Sequence, residues 1–177
     1  MAWMIDGVHS HVGFSAKHMM VSTVRGQFRT YSGTLDIDPT DFTRSHFEGE
    51  IEVASIDTGN QQRDDHLRSS DFFDVENHPK IRFKSTRIEP SGGDDYAVTG
   101  DLTIRGVTKP VTLEVEFFGT SKNMSGDTVA GLSVRGAINR KDFGVNFNAL
   151  LESGGVVVGD KVKIEIDIEA QAAKAAA

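Results

Sequence analysis

The 177-residue chain contains no cysteine. Disulfides, thiolate metal ligands and cysteine nucleophiles are therefore excluded together, and cysteine usage gives no reading of the redox compartment. Lysine and arginine number 19 against 26 aspartates and glutamates, a formal charge of −7. That balance argues against a phosphate-backbone footprint, which needs clustered cations to displace counterions, so nucleic acid is not an expected partner. It also disfavours electrostatic adsorption to anionic lipid. No apolar run approaches the roughly 18 residues of a spanning helix, and stable membrane insertion is not expected. The opening MAWMIDGVHS lacks the basic and apolar regions of a secretory signal, from which a cytoplasmic location is expected.

What the chain does have is alternation. In HFEGEIEVAS, Phe47, Gly49, Ile51, Val53 and Ser55 fall on one side of an extended chain and Glu48, Glu50 and Glu52 on the other. VTLEVEF and VKIEIDIE repeat the pattern, and weaker copies run through GVHSHVGFSAKH, QFRTYSGTLDI, KIRFKSTRI, YAVTGDLTI and VAGLSVRGAI. Between them PSGGDD, RGVTKP and SKNMSGD supply hairpin turns, with Pro110 expected where a strand begins. About eight antiparallel strands, each buried on one face, imply an all-β sandwich or an up-and-down barrel. One domain is expected over residues 1–170, with an Ala-rich frayed tail at 171–177. The period breaks at 57–79 and at 140–155, where a short helix is expected.

A closed barrel of eight strands leaves room for a small ligand. Gly49, Ser55, Ser85, Gly100 and Gly136 occupy inward positions where a solid core would place larger residues. Taken singly, each reads first as a bend or bulge; their recurrence points to a hollow.

Candidate chemistry centres on RDDHLRSSDFFDVENHP, residues 63–79. A general base built from His66 with Asp64 or Asp65 would suit a lipid hydrolase or isomerase, but no nucleophile elbow, phosphate loop or dinucleotide fingerprint accompanies it. The segment reads better as a lid over a barrel end, with charges outward, Phe72 and Phe73 inward, and Ser69 or Asp71 as a local cap. His9 and His11 share a strand face but lack the further ligands a metal site needs, so no metal is expected. His18 follows the inward register of Val12, Phe14 and Ala16, as a buried histidine or a ligand's hydrogen-bond partner.

Four stretches resemble the YceI family of polyisoprenoid-binding, lipocalin-like proteins: DGVHSHVGFSAKH with VRGQF, SIDTGNQQRDDHLRSSDFFDVENHPKIRF, GDLTIRGVTKPVTLEV, and INRKDFGV. The resemblance implies an antiparallel lipocalin-like barrel holding a long apolar chain, with homodimers common. It marks Phe14, His18, Phe28, residues 63–79, Arg140, Asp142, Phe143 and Gly144 as family positions. The expected ligand wall comprises Phe14, His18, Phe28, Ile51, Val53, Phe72, Phe73 and Phe83 in the first half of the chain. Leu102, Leu113, Val115, Phe117, Ile138, Phe143, Ile164 and Ile166 complete it. Arg63, His66 and Arg140 are the expected head-group contacts. The reading is non-catalytic storage or transport of a polyisoprenoid or quinone-like lipid, with no other cofactor. A lipid-acting enzyme and a solid-cored interaction module are the alternatives.

Overall fold

Alternating sequence becomes wall. The computed structural model describes residues 2–149 and 157–174. Its strands are β1 (Ala2–Ile5), β2 (His11–His18), β3 (Ser22–Phe28), β4 (Tyr31–Asp36), β5 (His46–Glu52), β6 (Ile56–Asp57) and β7 (Lys80–Gly92). β8 (Asp95–Ile104), β9 (Val107–Lys122), β10 (Thr128–Asn139) and β11 (Val158–Ala172) follow, and an α-helix, α1 (Gln61–Arg68), the only one among the described residues, stands between β6 and β7.

These segments make eight staves. β1 and β2 lie end to end along β11, Trp3 opposite Ala172 and Val12 opposite Ile166, with residues 6–10 looped out between them. β3 and β4 lie end to end in the same way, β3 on β2 and β4 on β1. The ladder then runs β4, β5, β7, β8, β9, β10, β11, antiparallel throughout, and β11 returns to β1 and β2. An eight-strand antiparallel barrel results, with β6 added on β3. Closure leaves the long strands without a free edge.

Turn chemistry sets the hairpins. Arg105 and Gly106 take φ of 49° and 73°, the paired positive values a two-residue hairpin requires, and Gly106 leaves the room that the His78 ring fills. Pro110 is not at a strand start: β9 begins at Val107 and Pro110 pairs with Asp101. It is tolerated there because the ladder between β9 and β10 stops at Glu114, so no bond on that side needs its missing N–H. β11 also runs further than expected. Gln171 and Ala172 pair with Met4 and Trp3, so this part of the presumed tail is strand; residues 175–177 lie outside the described part. The break after β10 is a 3₁₀ turn over Arg140–Phe143, closed by Gly144 at φ 75°, and residues 150–155 of that segment also lie outside the described part.

Apolar side chains collect in two clusters along the barrel axis. One fills the end that holds the connection between β4 and β5: Trp3, Ile37, Phe42, Ala130 and Ala170 are all buried there. Phe42, on a 3₁₀ turn, stacks on Phe117 at 4.6 Å and packs against Tyr96 at 4.5 Å and Phe47 at 5.6 Å. These rings plug that end. The second cluster gathers Phe28, Val53, Ile56, Phe72, Phe143 and Val145 beneath α1.

Candidate functional site

Between the clusters lies a cavity of about 310 Å³, within the range of small-molecule pockets. Its wall is almost wholly aliphatic and aromatic. β2 contributes Phe14 and Ala16, β5 Phe47 and Ile51, β7 Ile81 and Phe83, β8 Val98, Leu102 and Ile104, and β9 Leu113 and Val115. β10 adds Leu132, Val134 and Ile138, and β11 adds Val158, Val162, Ile164, Ile166 and Ile168. Within each set the spacing is two residues or a multiple of two, as the pleat demands. Leu67 of α1, with Phe72 and Phe73 from the loop after it, closes over the side opposite the plug.

The inward small residues do three different things. Ser55 and Ser85 repair irregular backbone: Ser55 Oγ accepts from Thr30 N at 3.0 Å and donates to Glu52 O at 2.6 Å, and Ser85 Oγ accepts from Phe47 N at 2.9 Å. Gly100 and Gly136 make room for neighbours, the Phe83 ring lying where a Gly100 Cβ would project and Leu113 Cδ2 where a Gly136 Cβ would. Gly49 alone of the five opens on the hollow; a Cβ there would meet nothing closer than Ser32 O at 3.8 Å.

Of the expected wall, Phe14, Phe28, Ile51, Phe72, Phe73, Phe83, Leu102, Leu113, Val115, Ile138, Ile164 and Ile166 line the cavity. Four do not. Val53 begins a 3₁₀ turn that carries it out of register into the second cluster, 1% exposed. Phe117 belongs to the aromatic plug. Phe143 is packed in the second cluster, also 1% exposed. His18 ends β2 opposite Val158, half-buried outside the wall. Tyr31, Leu35, Phe47, Ile81, Val98, Val162 and Ile168 were missed although the same alternation marks most of them; Leu67 carries no periodic signal at all.

The expected head-group residues are committed elsewhere. Arg63 donates from Nε to Thr58 Oγ1 at 2.7 Å and from Nη2 to Thr58 O at 2.8 Å. His66 Nε2 pairs with Asp71 Oδ2 at 2.9 Å, its ring edge-on to Phe72 and Phe147. Neither lines the cavity. Arg140 does line it, but its guanidinium donates to three main-chain carbonyls: Val145 at 2.6 Å, Gly159 at 2.9 Å and Val158 at 3.2 Å. Burial lowers its pKa, and Asp160 at 3.8 Å works in the opposite direction.

The general-base constellation fails geometrically. Successive helix residues face different directions. Asp64 is buried and accepts from Thr58 N at 3.0 Å and Thr58 Oγ1 at 2.5 Å; Asp65 pairs outward with Arg68; and His66 meets Asp71 instead of either. The helix is N-capped by Asn60, whose side chain accepts from Arg63 N, while Ser69 ends it and, as a local cap of the turn that carries Phe72, accepts from Asp71 N at 3.3 Å. Asp64→Ala is expected to lower unfolding free energy by about 1–2 kcal/mol in a urea titration, because it strands the Thr58 donors. A carboxylate that served only to orient His66 would show no such loss.

On the outer surface, Asp6, His9 and Glu169 bring three possible metal-ligand atoms within 4.8 Å of one another. His9 Nδ1 lies 2.8 Å from Asp6 Oδ2, and that hydrogen bond raises the histidine pKa and lowers the carboxylate's. His11 is absent from the group.

Comparison with known proteins agrees with this geometry. Residues 3–170 match the YceI-like domain. Proteins of the UPF0312 group from Staphylococcus epidermidis and Staphylococcus aureus are 46% and 44% identical over 165 residues, covering 93% of this chain and 94% of theirs. Among solved structures, BcnA of Burkholderia cenocepacia superposes with a TM-score of 0.80 at 28% identity, covering 93% of this chain and 98% of its own. A Campylobacter jejuni YceI protein gives 0.77 at 32%, covering 89% and 90%. A polyisoprenoid-binding domain from Saccharophagus degradans shares the fold, with a TM-score of 0.67 at 16% identity over 97% and 98%. A barrel of this topology, matched along nearly its whole length, places the chain in the YceI family.

Proposed function

We propose that this barrel binds a long apolar lipid, a polyisoprenoid or the tail of an isoprenoid quinone, as a non-catalytic store or carrier. One observation carries the reading: every long stave sends apolar side chains into a hollow they do not fill. Each methylene buried there is worth about 0.8 kcal/mol, so length of chain supplies affinity and the wall needs few polar contacts. The membrane is an equally apolar source, which makes exchange between bilayer and barrel nearly balanced and suits a carrier. A homodimer, implied by the family resemblance, completes the reading.

Native mass spectrometry of freshly purified protein, before and after addition of a long-chain isoprenoid alcohol, tests it. A saturable adduct of one lipid per chain is expected, with the added lipid recovered unchanged. The proposal fails if no adduct forms, or if isoprenyl diphosphates are consumed and His66→Ala stops it.

A further inference from the structure

The turn between β2 and β3 is built against its own chemistry. Val21 N bonds back to His18 O at 3.2 Å, which leaves Met19 and Met20 as the two turn residues, with φ of 51° and 62°. Such turns favour Asn-Gly, because a Cβ is strained at positive φ. Two methionines occupy them instead, 43% and 65% exposed, and Val21 beside them is 86% exposed. Three consecutive large apolar residues therefore stand in solvent at a strained tip. That tip extends the same wall that carries Ala16 and faces Val158, at the cavity end away from the aromatic plug.

The outer face behind it is basic. Lys163 and Arg25 flank Ser15 on one rung, Lys17 lies one outward position nearer the tip, and Lys161 is the preceding outward residue of β11. All four are exposed. Among the described carboxylates nearby, Asp160 is engaged by Lys141 at 3.3 Å, and Glu165 lies farther from the tip. At the plugged end Met124 is fully exposed as well, but the charges beside it are mixed: Asp127 of its turn pairs with Lys174 at 3.5 Å, Lys122 donates to Thr128 Oγ1, and Asp94 and Asp95 lie in the neighbouring turn. Although the net charge is −7, four exposed cations share this one face, so the repulsion from anionic lipid expected of the whole chain is locally opposed here.

We propose that the Met19–Val21 tip, backed by Lys17, Arg25, Lys161 and Lys163, docks the protein on an anionic lipid bilayer, setting the cavity end that Leu67, Phe72 and Phe73 close toward the membrane. Apolar side chains enter the interface while cations above them meet phosphates. The inference rests on the lipid-carrying reading for its purpose, though not for its measurement.

Co-sedimentation with vesicles of phosphatidylcholine containing about one part in three phosphatidylglycerol tests it, with pure phosphatidylcholine as reference. The wild-type protein is expected to partition onto the anionic vesicles and to be released by salt. Met19→Asn/Met20→Gly supplies the preferred turn pair, so it is expected to raise the thermal midpoint while cutting partitioning at least tenfold. Lys17→Glu/Lys163→Glu is expected to cut it more than about fivefold per charge. Both variants should still form the isoprenoid adduct. Docking is overturned if the wild type ignores the anionic vesicles, if it binds both compositions equally, or if the Asn-Gly variant partitions unchanged. It is also overturned if that variant shifts the oligomeric state and the wild type does not partition, which would make the tip a contact between copies. Vesicle binding without any isoprenoid adduct would reject the cargo and keep the docking.

Discussion

Arg140→Met lowers the free energy of unfolding by about 3 kcal/mol, read from a urea titration with an unchanged slope. The side chain is 5% exposed and ties three carbonyls, of Val145, Val158 and Gly159, that belong to the two sides of the connection between β10 and β11. An aliphatic replacement of similar length keeps the packing but leaves those acceptors without a donor. Each stranded buried group costs about 1–3 kcal/mol, and partial access of water reduces the sum. Arg140→Lys should fall between the two, because one ammonium cannot reproduce a planar fork aimed at three oxygens. A residue serving only as a head-group contact would behave in the opposite way, losing ligand affinity while stability held.

Arg140 also shows where sequence reading ends. Its place at the break after a strand marked it as special, and the family motif gave it a role, but three carbonyl partners come from positions five to nineteen residues away and leave no trace in local pattern. The walls were legible because pleat geometry writes burial into every second residue; Ile51, Leu113, Ile164 and Ile166 follow from that alone. The same rule misplaced Val53, where a single 3₁₀ turn changes the period, and Phe117, where an inward residue meets the plug instead of the hollow. The plug itself was invisible: Trp3 and Phe42 come from a four-residue strand and a three-residue turn, too short to show any period. α1 was legible only as a short helical or loop lid, since QQRDDHLR has one aliphatic residue and its helix is fixed by Asn60 and by Arg68 reaching the carbonyls of Ala54 and Ile56.

Gly49→Leu should separate stability from binding more sharply than any other single change. Glycine within a strand costs roughly 0.5–1 kcal/mol relative to alanine, so a residue kept there for stability alone would be a poor choice. Its φ is not in the left-handed region, and a Cβ at this site meets open space. The leucine side chain would project between Phe47 and Ile51 into the cavity. Displacing about three ligand methylenes removes ~2.4 kcal/mol, a loss of affinity on the order of 50-fold, while the melting midpoint holds or rises. Gly100→Leu makes the control. There the space is taken by the Phe83 ring and by Lys84 O, 2.6 Å from the new Cβ, so overpacking is expected to cost about 1–3 kcal/mol of stability. Opposite responses from two inward glycines would follow only if one faces a hollow that cargo occupies and the other faces a wall already full. Equal destabilisation by both would mean that the side chains of this barrel close on each other, and the lipid would have nowhere to go.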